Sequence, residues 1–207
     1  MKVDQSRREP LVLLIVTALG LVLSGIGPHD RVTWWLEVAP VILGMLVLVP
    51  TYRRFPLTPL AYRLIFVHAA ILMLGGHYTY ARVPLGEWAQ ETFGWARNHY
   101  DRLGHLAQGF VPAILAREFF LRRSPLVRGR WLFFFVTCFC LAFSALYELI
   151  EWWAALMGGE AADSFLGTQG DVWDTQWDMC LALIGALTAQ LSLARRHDRE
   201  LAQLLSN

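Results

Sequence analysis

Six apolar stretches in succession, each near the length of about 20 residues that a bilayer demands, constrain this chain more than anything else in it. They cover residues 11–26, 34–50, 61–80, 99–119, 131–156 and 172–193. In hydrocarbon every backbone N–H and C=O must be satisfied within the protein, and a helix does this within one segment. The expectation is an all-α polytopic membrane protein: a bundle of six transmembrane helices in a single integral domain, residues 1–207. The connections are brief, so sequential helices should be antiparallel neighbours. The first stretch is long for a leader peptide and reads as a retained helix. Hydrophobic residues make up 56% of the chain and the formal net charge is +1. The bilayer is therefore the expected partner, and nucleic acid is not. Cys138, Cys140 and Cys180 all lie in apolar runs, and the first two point apart on a helix, so no disulfide framework is implied.

Charge gives the orientation. Lys2, Arg7 and Arg8 precede the first stretch, and Arg53, Arg54 and Arg63 follow the second. Arg117, Arg122, Arg123, Arg128 and Arg130 surround the fourth connection, and Arg195, Arg196 and Arg199 follow the last stretch. Only Arg31, Arg82, Arg97 and Arg102 fall on the opposite side. By the positive-inside rule both termini are expected to be cytoplasmic. Tryptophans, among them Trp34, Trp88, Trp95, Trp152 and Trp177, gather at the outer boundary and read as an aromatic belt. Residues 85–95, LGEWAQETFGW, read as a short amphipathic helix lying on the outer face.

Ionisable residues inside apolar spans are costly and mark a functional interior. Asp101, His105 and Gln108 share one face of the fourth span. Glu148 and Glu151 are three apart in the fifth, and Asp174 and Asp178 four apart in the sixth. His77 falls at a similar depth in the third, counting about 1.5 Å of rise per residue. The seven ionisable positions among these, Gln108 aside, are the candidate site. Asp101, His105, Glu148, Glu151, Asp174 and Asp178 are the candidate catalytic residues; His77, His105, Glu148, Glu151, Asp174 and Asp178 are the candidate metal ligands. Carboxylates and imidazoles from facing helices suit a divalent metal such as zinc, iron or manganese. The same groups also suit a proton-sharing network. Glu118, beside Arg117 and Arg122, reads as an interfacial ion pair, and His68 as structural. The connection 158–170, with Glu160 and Asp163, reads as a flexible loop that matches no calcium-binding pattern well.

Three motifs carry a resemblance. His99-Tyr100-Asp101-Arg102-Leu103-Gly104-His105, Tyr147-Glu148-Leu149-Ile150-Glu151-Trp152 and Gly167-Thr168-Gln169-Gly170-Asp171-Val172-Trp173-Asp174 resemble the YjdF family of bacterial inner-membrane proteins. Asp101 and His105 more distantly resemble the Asp-Lys-x-x-His motif of the VanZ-like family, with Arg102 in the lysine position and Glu151 in that of a glutamine. These likenesses imply a role in the cell envelope, on the outer face.

Three functions fit. One is a metal-assisted hydrolase or transferase for a lipid-linked or cell-wall substrate, in which His105 and Glu148, with Asp174 or Asp178, bind a metal or exchange protons while Asp101 and Glu151 orient them. Another is a proton- or cation-coupled small transporter, and the third a non-catalytic accessory subunit whose carboxylates meet a partner's basic groups.

Overall fold

The structure, a computed structural model, describes residues 3–158 and 168–206. Residues 159–167, which hold Glu160 and Asp163 of the long connection, lie outside the described residues. Among the described residues the chain is helical throughout. The α-helices are α1 (Val3–Ser24), α2 (Arg31–Thr51), α3 (Pro59–Tyr78), α4 (Pro84–Phe93), α5 (Tyr100–Arg123), α6 (Arg130–Gly158) and α7 (Asp174–Leu205). A 3-10 turn, Tyr80–Arg82, precedes α4.

Local chemistry sets the starts and stops. Asp30 caps α2 by accepting from the Thr33 N–H at 2.7 Å, which satisfies one of the four orphan donors of a helix start. Thr58 caps α3 and Pro59 opens it, where a missing N–H costs nothing. Helix α4 begins at Pro84 and ends on Gly94 in the left-handed conformation. It coincides with the amphipathic stretch 85–95. Helix α5 starts at the N-cap His99 without a side-chain cap, and the residue before it, Asn98, accepts from the Tyr100 N–H through Oδ1 at 3.0 Å.

Four helices, α2, α3, α6 and α7, are long and apolar enough to cross a membrane. Helix α5 is not, because Asp101, Arg102, Arg117, Glu118, Arg122 and Arg123 all lie within it. The apolar run of α1 begins only after Arg7, Arg8 and Glu9.

Helix α5 is the axis of the fold. It packs most extensively on α7 and is flanked by α6 and α3. The α5–α7 pair runs parallel, with position 97 beside 174, 109 beside 182 and 117 beside 198. Their backbones meet at two glycines: a Cβ at Gly109 would overlap the Ala182 carbonyl, and one at Gly185 would overlap that of Leu106. Ala113, Ala116, Ala182, Ala186 and Ala189 continue this buried seam, as small residues do where helices associate in lipid. Helix α1 packs on α3 rather than on α2. The short connection therefore does not make α1 and α2 close neighbours; they meet near the turn, where Trp34 Nε1 donates to Ser24 Oγ at 3.1 Å.

One end of the bundle is tied by a buried polar network. Glu118 accepts from the Thr58 hydroxyl at 2.8 Å, from Arg122 at 2.8 Å and from His197 Nε2 at 3.2 Å. Glu118, Thr58 and His197 have no exposed surface. Glu118 thus does more than form an interfacial ion pair: it joins α3, α5 and α7.

Candidate functional site

At the other end the polar faces converge. His105 presents its two ring nitrogens to different partners. Nε2 faces Asp101 Oδ1 at 3.5 Å and Asp178 Oδ2 at 3.9 Å. Nδ1 lies 2.9 Å from Gln108 Oε1 and 3.6 Å from Glu148 Oε1. An amide oxygen accepts only, so Nδ1 carries the proton that it shares with Gln108, and Nε2 is the basic atom of the neutral ring. Asp101, His105 and Asp178 each offer one ligand atom, and the three lie within 4.8 Å of one another. All are buried, as are Glu148, Glu151 and Asp174.

Three of these carboxylates have orphan oxygens. Glu148 Oε1, Asp174 Oδ2 and Asp178 Oδ1 are buried with no hydrogen-bond partner. Buried polar atoms in native proteins are nearly always paired, and a carboxylate oxygen left alone in low dielectric is expensive. A cavity of about 40 Å³ adjoins the cluster at Asp101 and His105, room for an ion or a few waters. Glu37, His68, Tyr80, Asp101, His105 and Glu151 are among the residues that line it.

The seven candidates do not behave alike. Asp101, His105, Glu148 and Asp178 come together around the imidazole. Glu151 reaches the cavity. Asp174 instead takes the buried guanidinium of Arg97, whose other neighbours are Asp101 at 3.8 Å and Asp171 at 3.6 Å. His77 stands apart: its Nδ1 donates to the Ser24 carbonyl at 2.9 Å, which ties α3 to α1. Its place at this depth is taken from α2, by Glu37, which is 3% exposed and accepts from the Tyr147 hydroxyl at 3.4 Å. A ring nitrogen of His68, read as structural, is buried without a partner at the same cavity.

Sequence reasoning missed Arg97 and Glu37. Arg97 precedes its helix and reads as a loop cation; Glu37 sits two residues past the Trp34-Trp35 pair and reads as a boundary acid. One signal was available for each. Arg97 lies four residues before Asp101, the spacing of a local ion pair. Glu37 is followed by Pro40 inside an otherwise apolar helix, and both line the cavity.

The segment after the undescribed residues closes over this end. The Asn98 N–H donates to Gln169 Oε1 at 3.0 Å, and Gln169 Nε2 donates back to the Asn98 carbonyl at 2.9 Å. Arg97 reaches the Thr168 carbonyl at 3.2 Å. Arg102 pairs with Asp171 at 2.7 Å and lies 5.5 Å from the centre of the Trp177 ring. Tyr80 closes the α3 side, inserted where a Cβ on Gly75 or Gly104 would press on its ring. The preceding Thr79 adopts φ 60°, a strained conformation for a β-branched residue that persists only where its surroundings enforce it.

The family described as "Predicted membrane protein (DUF2238)" matches residues 9–199. Inner membrane protein YjdF of Escherichia coli (strain K12) is 57% identical over 197 residues, which cover 93% of this chain and 94% of that protein. No solved structure matches the chain.

Proposed function

Because the chain belongs to the DUF2238 family of predicted membrane proteins, we propose that it is a six-span inner-membrane protein holding a divalent metal at Asp101, His105 and Asp178. In this reading residues 1–207 form one integral domain with both termini cytoplasmic, α4 lies on the outer surface, and the site opens to the outer leaflet. The distribution of arginines supports the orientation. The position of α5 supports its being a span, since a helix that polar crosses a bilayer only when other helices surround it, as α3, α6 and α7 do.

The observation that carries the metal is the convergence of three ligand atoms on the basic side of His105. A metal bound at about 2.1 Å sets tetrahedral ligands roughly 3.4 Å apart. The spacing of 3.5 Å from Nε2 to Asp101 already meets this, and the 3.9 Å to Asp178 needs a small side-chain shift. The donor set, one nitrogen and two carboxylates, suits zinc, iron or manganese. Glu148 faces the other ring nitrogen, so in this arrangement it orients His105 together with Gln108 and is not itself a ligand.

The activity proposed is hydrolysis or group transfer on a lipid-linked or cell-wall substrate. A metal bound there supplies an activated water or polarises a substrate oxygen. The protein's own groups do the rest. Arg97 fixes Asp101 and Asp174, Glu151 at the cavity wall holds or yields a proton, and the packed α5–α7 seam keeps the ligands in register. A site this acidic repels a phosphate unless a cation is present. The test is the metal content of the detergent-purified protein by mass spectrometry, beside His105→Ala and Glu148→Ala. Near-stoichiometric metal, lost in His105→Ala, supports the reading; a folded protein that takes up no metal on reconstitution overturns it.

A second reading, cation- or proton-coupled transport, is favoured by His68 at the cavity and by the buried Glu118–His197 pair nearer the other end. Proton or cation flux into proteoliposomes separates the two.

A further inference from the structure

The cavity beside the proposed metal site has a second wall, made by α2 and α6. These helices are not among the closely packed pairs of the bundle. Among the described residues one hydrogen bond crosses between them, from the Tyr147 hydroxyl to Glu37 at 3.4 Å. Phe143 lines the cavity and is also 44% exposed on the outside of the bundle, so the cavity reaches the surface along this seam. The flanks there are apolar and outward-facing, with Leu43 and Leu46 on α2 and Phe139, Leu146 and Ile150 on α6. Pro40 lies on the cavity side of α2. It cannot donate to the Leu36 carbonyl, so α2 is free to bend just below Glu37.

The lining is mainly acidic, and its two histidines, His68 and His105, are the groups in it able to carry positive charge. Glu37, Asp101 and Glu151 contribute to it from three helices, and no lysine or arginine does. Tyr80, Tyr147 and Phe143 add aromatic faces. Carboxylates and aromatic rings together recognise an ammonium group. His68 supplies independent support: it lines the same cavity, and its Nε2 is buried with no hydrogen-bond partner, an atom that accepts from an ammonium when the ring is neutral.

We infer that the α2–α6 seam is a lateral doorway from the bilayer, and that its occupant is a lipid bearing a primary ammonium headgroup, held between Glu37 and Glu151. The inference deepens the reading of this cavity as a substrate site by naming the substrate class. It places the ammonium at the Glu37–Glu151 side and leaves the Asp101–His105–Asp178 side to the metal. The acyl chains stay outside, against the apolar flanks of α2 and α6, as charge and hydrophobicity both require.

The test uses the purified full chain in nanodiscs of phosphatidylcholine, doped equally with phosphatidylethanolamine and the same lipid acetylated on its amine. Lipids retained after transfer to detergent are counted by native mass spectrometry. The expected result is retention of the free amine at least tenfold over the acetylated lipid. Glu37→Gln should bring the two close to equal, and Glu87→Gln on α4 should not. Phe143→Trp, a change at an exposed position, should slow lipid exchange several-fold without altering the fold. Equal retention of the two lipids by the wild type, or undiminished selection in Glu37→Gln, overturns the inference. Complete displacement by soluble ethanolamine leaves an amine pocket but overturns the lipid occupant. The experiment is repeated after metal chelation: selection that survives shows that the ammonium site stands even where the metal reading fails, and selection lost with the metal overturns the separation of the two sites.

Discussion

Arg97 and Asp174, 77 positions apart, form a buried ion pair that joins the entrance of α5 to the first turn of α7. Each is at most 7% exposed, and the guanidinium also lies near Asp101 and Asp171. One cation therefore holds together carboxylates that would otherwise repel. Removing one partner of such a pair strands the other in low dielectric, at a cost of about 3–5 kcal/mol. Arg97→Ala and Asp174→Ala should each lower the unfolding midpoint in detergent markedly. The double variant should lose less than the sum of the two; additive losses would mean that the pair is not coupled.

At Gly109 the expected effect is steric. Gly109→Val drives a branched side chain into the Ala182 carbonyl of α7, and neither backbone can move without disturbing the rest of the seam. Overpacking of this kind costs roughly 1–3 kcal/mol or more. Size-exclusion chromatography and thermal unfolding should show a loosened protein, whereas Gly129→Ala, where a Cβ meets open space but φ is 146°, should show a small loss from backbone strain alone. Equal effects at the two sites would deny the seam its role.

The two nitrogens of His105 lead to separate outcomes. His105→Ala removes a ligand and should abolish metal uptake. Gln108→Leu and Glu148→Gln act through Nδ1 and should weaken metal binding by about 10–100-fold while leaving it measurable. A competition titration against a chelator of known affinity reads this directly. If Glu148→Gln abolished binding outright, Glu148 would be a ligand and the ring would be turned over.

Glu118 is expected to matter for stability and not for the site. Glu118→Ala leaves the Thr58 N–H and hydroxyl, Arg122 and His197 without their acceptor, each a buried group costing about 1–3 kcal/mol. Glu118→Gln keeps an acceptor oxygen and should lose less. Metal content per folded molecule should be the same in both.

A smaller, pH-dependent term belongs to Asp30, outside the spans. The hydrogen bond from the Thr33 N–H holds its carboxyl below the usual carboxylate range. Its contribution is present above the unfolded-state value and is lost as the pH falls through the lower, folded one. Asp30→Ala should cost about 0.5–2 kcal/mol at neutral pH. Asp30→Asn should keep most of the cap and flatten this part of the acid dependence.

The helical character and the amphipathic α4 were legible because each rests on neighbours in sequence. So were Asp101, His105, Glu148 and Asp178, since a carboxylate or imidazole in an apolar run is conspicuous wherever it points. Glu37, Arg97 and His197 were not, for their meaning depends on residues far along the chain: Tyr147, Asp174 and Glu118. His77 shows the opposite failure. Its depth on α3 matches the site, but depth says nothing of direction around a helix, and the side chain faces α1.

What the sequence by itself determined is therefore the helices, their polar faces and the approximate depth of each ionisable group, all of which follow from periodicity and from the cost of leaving backbone polar groups unpaired in hydrocarbon. Tertiary structure alone decided which faces meet. The parallel contact of α5 with α7 at Gly109 and Gly185 brings Asp178 to Nε2 of His105. The insertion of Tyr80 behind a strained Thr79 closes one wall of the cavity, and the thin seam between α2 and α6 leaves another ajar. Such contacts depend on two surfaces fitting across long separations in the chain, and no local pattern of residues records that fit.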